Sequence, residues 1–476
     1  MKTKNRFALA LALTAVIGIL AGCSSEKARD TSFSNTSGSE APPLPDSTDS
    51  ILSEIESSSF PNDCVTYLQN LESTLSALKS AQLVEKGPLL AKGFWKVQLA
   101  LHDNLPNVSV DCVKEIRNTE KLLRSAEDYL IEREAAPLDD PHFPYQSFYR
   151  RGISTSFQFK DGDILITRGN DFLSTLLSRT GDHTAQFSQL VFIHVDPETK
   201  EMRGMSAYIG PGAKLVSVEK TILENELDNV RVLILRGKDQ DLASRAADFT
   251  FKRFTAQLDD GRMVPFDYTL TTSDHSAFTS PKIAQYGYET ISNGDFQLPQ
   301  HPSHFSEETW LTKRMGFQPS DIFNPSDMEV DARFDLIGEW RNPKLTEASR
   351  RKDVVLETTL QWIKKEGYTF QSSTRSAAAT DEGQWPFFAK APGSRSLPKK
   401  IPHKILNNAA QLNFVTDILL KELTREDQEF KKKTSVPMSA GELKMALEKF
   451  KMADFEIWKN PKTRAKSKLH LFFRAN

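Results

Sequence analysis

Between residues 157 and 345, short apolar runs bounded by turn residues interrupt a helical pattern that holds on both sides of them. A chain patterned this way folds around a sheet built from its middle third, with helices contributed by its two ends. The segments ILIT, QLVFIHV and VRVLILRG read as strands, and MSAYIGPGAKLVSV reads as two more around Gly210-Pro211-Gly212. NDFLSTLLSRTG reads as a short helix capped by Asn170 or Asp171 and closed by Gly181. LASRAADFTFKRFTAQL is an amphipathic helix. FTSPKIAQYGYETI starts another, with Ser280 as N-cap and Pro281 at the first helical position. The expected class is α+β with a small antiparallel sheet.

One strand carries an oddity. In AQFSQLVFIHV, counting by twos puts Phe187, Gln189, Val191, Ile193 and Val195 on one face. Four of these five are apolar, so the row is expected to be buried, and the amide of Gln189 then needs partners. His194 falls on the opposite face.

The flanks read as helical. In the N-terminal block, residues 51–140, Leu68, Leu71, Leu75 and Leu78 make one stripe. Leu90, Phe94, Val97 and Leu101 make a second, and Ile116, Leu123, Ala126 and Leu130 a third. Gly87-Pro88 and Asn104-Leu105-Pro106 punctuate between them, and Asp63 and Asp111 are expected N-caps. This bundle carries no visible chemistry. In residues 346–476, Leu356, Leu360 and Ile363 share a face, as do Ile405, Ala409, Leu412, Leu419 and Leu423. Ser439 and Glu442 have the spacing of a capping box. The last stretch, KNPKTRAKSKLHLFFRAN, is basic; a solvated face or frayed tail is the first reading, contact with anionic polymer or lipid headgroups the second.

The net charge of -2 argues against nucleic acid as a partner. No metal-ligand spacing, phosphate loop or dinucleotide fingerprint occurs, so neither a metal nor a cofactor is expected. His301 and His304, either side of Pro302, read as loop histidines. Lys2, Lys4 and Arg6 precede an apolar run at residues 7–20, followed by Leu20-Ala21-Gly22-Cys23. This resembles a bacterial lipoprotein signal, which implies cleavage after residue 22 and lipidation of Cys23. Ser24 follows where an inner-membrane lipoprotein typically has Asp. The resemblance therefore points to a lipid-anchored protein of the cell envelope, at the outer membrane and facing the periplasm. Residues 23–50 are too polar to offset their ordering entropy and read as a tether. With Cys23 lipidated, Cys64 and Cys112 are an even pair in an oxidising compartment and are expected to be disulfide-bonded. The alternative is two separate small core residues.

Four segments in order carry a further resemblance. FKDGDILITRGNDFLSTLLSRTGDHTAQFSQLVF, VPFDYTL, DHSAFTSPKIAQYGYE and NPSDMEVDARFDLIGEW resemble the permuted papain-like amidases of the NlpC type, in particular the YaeF/YiiX group. The resemblance covers about residues 157–340 and implies a permuted papain-like domain over 150–345. The family uses a Cys thiolate at a helix N-terminus, a His on a strand as base, and a third polar group that orients the imidazole. In this chain those positions fall on Ser280, Gln189 and Ser206. All three depart from the pattern, and Gln189 cannot accept a proton at neutral pH. His183 precedes the strand in a loop. Asp274-His275-Ser276 is a decoy, because three consecutive side chains cannot converge on one point.

The reading expected from these positions is a pseudo-amidase: an inactive scaffold that binds a peptidoglycan peptide, an acylated molecule or an envelope protein. An amide or ester hydrolase using Ser280, and a purely structural envelope lipoprotein, are the alternatives. Gln189 and Ser280 are expected to be neighbours, with the helix bearing Ser280 facing the Gln189 row.

Overall fold

The computed structural model describes residues 64–132 (apart from 86, 88–97 and 99), 146–147, 157–270 (apart from 180, 182–184, 210 and 219–228), 275–305, 320–374 (apart from 373) and 403–475. The leader, Cys23, the tether, Asp63, His183 and Asp274 lie outside the described residues, as do Leu90, Phe94 and Val97 of the second stripe. Every described residue belongs to one compact unit, Leu44–Asn476.

Helices α1 (Cys64–Ala77), α2 (Ser80–Glu85) and α3 (Val110–Glu132) come first. The stripe Leu68, Leu71, Leu75 and Leu78 meets Ile116, Leu123 and Leu130 in one apolar core. Cys64 and Cys112 form a disulfide between α1 and α3, with their Cα atoms 6.0 Å apart. Asp111 is not the N-cap of α3. The helix starts a residue earlier, and the hydroxyl of Ser109 accepts the Cys112 N–H at 3.4 Å.

The main sheet has seven strands: β1 (Gln146–Ser147), β2 (Ile164–Gly169), β3 (Gln189–Val195), β4 (Met202–Tyr208), β5 (Gly212–Ser217), β6 (Asn229–Gly237) and β9 (Phe334–Arg341). Their spatial order is β1-β9-β6-β2-β3-β4-β5, and all neighbours are antiparallel except β1 beside β9. The short helix α4 (Phe172–Leu177) follows β2 and is capped by Asp171, whose carboxylate accepts the Ser174 N–H at 2.9 Å. Helices α5 (Gln240–Asp259) and α6 (Ser280–Ile291) pack together over one face. Strands β7 (Ser303–Phe305) and β8 (Ser320–Ile322) form a separate pair. The mixed α+β architecture with a mainly antiparallel sheet is thus present.

Strand β3 corrects the idea of a single buried row. Val191 and Ile193 do enter one apolar cluster, with Leu165, Val232, Ile234 and Trp340. Leu190 and Phe192, on the opposite row, enter the larger cluster under α5 and α6. A central strand covered on both faces has no solvent side, so a polar residue in either row has to find partners. His194 finds them on the α5 side, with its Nδ1 3.0 Å from Asp161 and its ring stacked 4.2 Å from Phe251.

The C-terminal third adds α7 (Pro343–Glu366), β10 (Tyr368–Phe370), α8 (His403–Thr434), α9 (Ala440–Lys459) and β11 (Phe473–Ala475). Val355, Trp362, Leu419, Leu423, Leu443 and Leu447 share one core. Leu356, Ala409 and Leu412 join Leu176 and Ile322 in another. The capping box of Ser439 and Glu442 is formed, and Glu442 also accepts the Ser80 hydroxyl at 3.2 Å, which ties α9 to α2.

Helix α3 is buried nearly all round. Its apolar face meets α1; its charged face meets the ends of β6 and β9, the 3-10 turn Pro325–Val330 and α7. Arg341 holds Asp128 at 3.0 Å and also pairs with Glu127 and Glu339. Arg124 pairs with Glu329 and lies 3.2 Å from Glu120. Lys121 and Arg179 hold Glu357 at 2.6 and 2.7 Å, and Arg168 holds Asp353 at 2.6 Å. Burial pushes the Glu120 carboxyl up to about 8, against the pull of Arg124 and with Glu329, Glu127 and Glu339 nearby. The folded state therefore keeps a proton that the unfolded chain releases from about pH 4.5. The contribution of Glu120 to stability is full below that pH and is lost as pH rises through about 8. Glu120→Gln is expected to flatten the dependence of unfolding free energy on pH across this window, removing a slope of at most about 1.4 kcal/mol per pH unit. Urea titrations across that window check it; a variant as pH-dependent as the parent would contradict it.

Candidate functional site

The three positions singled out from the sequence meet where the sheet opens between β3 and β4. The ladder between these strands runs only from Phe192 beside Met205 to Val195 beside Met202. Continuing the register would put Leu190 beside Ala207, but no ladder forms there. The Leu190 peptide group, left without a strand partner on that side, is satisfied by side chains. Its N–H donates to the Ser280 hydroxyl at 3.1 Å. Its carbonyl accepts from the Ser206 hydroxyl at 2.7 Å. Gln189 Nε2 in turn donates to Ser206 Oγ at 2.8 Å. The amide in the apolar row therefore has a partner, and that partner is the residue picked for the third position.

Ser280 and Gln189 are not hydrogen-bonded to each other. Helix α6 packs on the face of β3 that carries Leu190 and Phe192, not on the Gln189 row, so the expected facing is corrected. The two side chains are linked through the peptide of Leu190, and both line one cleft. The expected N-cap is corrected as well. Thr279 is the N-cap of α6, without a side-chain bond, and Ser280 is the first helical residue. Its hydroxyl is turned to Leu190 rather than to the helix end.

Local sequence explains where Ser280 sits. The 264–270 segment runs beside the start of α6: Phe278 N–H donates to Pro265 at 2.9 Å and Asp267 N–H to Phe278 at 3.1 Å. The buried Lys282, on the first turn of α6, holds Asp267 at 2.8 Å. The same segment is held to β5 at Gly212, where Ala213 N–H donates to Val264 at 2.9 Å. Gly212 has φ +76°, and a Cβ there would lie 2.0 Å from the Val264 carbonyl oxygen, so the contact requires glycine.

The cleft has a volume of about 110 Å³. Leu173, Leu177, Phe266, Leu270, Ile322 and Phe323 supply apolar wall; Ser188, Gln189, Tyr208, Thr279, Ser280 and Asn324 supply polar groups. All the lining residues lie between 171 and 325, so the flanking helices contribute none of them. They brace it from outside, through the cluster that joins Ile322 and Leu270 to Leu356, Ala409 and Leu412.

Tyr208 was not among the residues picked from sequence, though it stands two positions beyond Ser206 in the same strand row. The period-two count that ties Gln189 to its row also finds it. Its buried hydroxyl makes no hydrogen bond of full geometry, but the side chains of Ser206 and Gln189 lie within hydrogen-bonding range of it. Burial pushes it up to about 12, with Ser206 and Gln189 close by pulling the other way. It stays protonated at neutral pH and so keeps a donor at the cleft.

Serine is activated as a nucleophile by an adjacent base; the described lining residues include no His or Cys, and the charged ones, Lys282 and Asp171, are engaged with Asp267 at 2.8 Å and with the Ser174 N–H at 2.9 Å. His194 lies on the other face with Asp161, and His275 lies by Glu289, Phe278 and Tyr286. His304 pairs with Asp321 at 2.9 Å on the surface. His301 gives its carbonyl to Arg117, and burial and that arginine lower the pKa of its ring. Among the described residues no group of three or more His, Cys, Asp or Glu is placed to hold a metal ion, and no helix is long and apolar enough to cross a membrane. Comparison with family models, curated proteins and solved structures gives no match to this chain.

Proposed function

We propose that the chain is a lipid-anchored protein of the bacterial cell envelope whose central domain is a permuted papain-like scaffold of the NlpC type, used for binding and not for hydrolysis. Its ligand is an envelope component with unpaired amide or carbonyl groups: a peptidoglycan peptide, an acylated molecule or an exposed protein segment. One observation carries the reading. The three positions where the family keeps its reacting groups are drawn into a closed hydrogen-bond set around Leu190, while the Tyr208 hydroxyl stands beside Ser206 and Gln189 at the cleft, in a looser contact that a ligand acceptor can replace. The first feature removes the need for a catalytic role; the second leaves a donor for a ligand acceptor. A lining drawn entirely from residues 171–325 supports a working groove over a scaffold covered by its own extensions.

The test uses a fluorophosphonate probe and soluble peptidoglycan fragments. Ser280 is expected to stay unlabelled by the probe. Tyr208→Phe is expected to weaken fragment binding by about two- to tenfold, the worth of one hydrogen bond. Labelling that disappears in Ser280→Ala would overturn the inactive reading. Binding unchanged by Tyr208→Phe would remove the cleft from recognition.

A further inference from the structure

We propose that the outward ridge of α9, together with the basic segment after it, is a face that lies on an anionic lipid surface. Helix α9 packs inward through Leu443, Leu447, Lys451 and Asp454. Its other side carries Met445 and Met452, two turns apart and 59% and 61% exposed, while Phe455 and Ile457, at 40% and 39%, flank the inward row on its two sides near the helix end. Of seven large apolar residues exposed among the described residues, four belong to this helix, and Met445 and Met452 share its outward row. Single exposed apolar side chains are ordinary; a cluster asks for something to cover it.

Charge says what covers it. From Lys459 to Asn476 the chain has no acidic residue, within a protein of net charge -2. Lys459, Lys462 and Lys466 are exposed and make no ion pair. Arg464 and Arg474 stack beside Trp458, 5.2 and 5.0 Å from its ring, which keeps two more cations at the end of the apolar ridge. Lys468 is spent on Glu422. On the outward row Lys449 stands beside the methionines with Glu456 as an opposing charge, and Lys444 is exposed at its edge. A protein partner would seat a core depleted of lysine, which this ridge is not. Apolar side chains interleaved with lysines suit the boundary where acyl chains meet anionic headgroups.

The test is flotation of the chain from Ser24 to Asn476 with vesicles. This chain lacks Cys23, so any binding is independent of an anchor, and it keeps the whole unit Leu44–Asn476. Vesicles of phosphatidylcholine alone are compared with phosphatidylcholine–phosphatidylglycerol mixtures. Binding is expected only to the anionic vesicles and to fall as salt rises. Changing Lys459, Lys462 and Lys466 together to glutamate should weaken it about a hundredfold or more, at about fivefold per lysine. Met445→Ser, Met452→Ser and Phe455→Ser together should weaken it without restoring salt resistance. Both sets lie on the surface, and an unchanged melting curve confirms their fold. Equal binding to both vesicle types, none to either, binding indifferent to both sets of changes, or preference for a nucleic acid over the anionic vesicles would each overturn the proposal.

Discussion

Arg341→Ala is expected to destabilise the protein by about 3–5 kcal/mol, the cost of leaving buried carboxylates without their cation. Arg341 is fully buried at the end of β9 and faces Glu127 and Asp128 of α3 as well as Glu339 of its own strand. Two of those carboxylates belong to a helix more than two hundred positions earlier in the chain, so the residue fastens α3 to the sheet. Burial raises the Glu127 carboxyl, while Arg341 and Arg124 hold Glu339 below the usual carboxylate range. Without the guanidinium, both are pushed toward the neutral form, and the loss should therefore be greater at pH 8 than at pH 5, a difference readable to within about 0.5 kcal/mol by denaturant titration. A cost under about 1 kcal/mol in equilibrium urea unfolding would mean that the cluster is not the fastening described here.

Removing the disulfide is the second large effect. Cys64 and Cys112 are 48 positions apart, and closing a loop of that length constrains the unfolded chain by about 4 kcal/mol on the entropic model, within a usual range of about 2–5. The bond joins the start of α1 to the first turn of α3, and the apolar core between these helices is small and largely their own. Cys64→Ala with Cys112→Ala, or reduction of the parent, is expected to lower unfolding free energy by that amount and to loosen α1 before the sheet. Hydrogen exchange resolves the two regions. Unfolding midpoints that coincide with and without reductant would contradict it.

The sequence made some of this legible, and physical reasons separate those parts from the rest. Stripes such as Leu68–Leu71–Leu75 and the Ser439–Glu442 capping box act within a few turns of helix, so local period reveals them. The parity of His194 follows from the alternation of a strand, whereas Ser206 near Gln189 is reached only through the family resemblance. The charged face of α3 was opaque. Glu120, Arg124, Glu127 and Asp128 look like a solvated face, because the groups that bury them, such as Glu329 and Arg341, come from distant strands and turns. Strand β3 looked one-sided, because His194 lends its row a polar residue although it is satisfied internally by Asp161. The cap of α6 shifted by one residue because the Ser280 hydroxyl is claimed by the Leu190 N–H, a contact invisible to helix-end rules.

On the proposed function, the cleft between β3, β4 and α6 binds without cleaving. The measurement that reaches it most directly is mass spectrometry of soluble peptidoglycan fragments recovered after saturable binding to the protein. Fragments of unchanged mass are expected, equally with the parent and with Ser280→Ala, and weaker retention by Tyr208→Phe. Fragments shortened by hydrolysis with the parent, and left whole by Ser280→Ala, would contradict it.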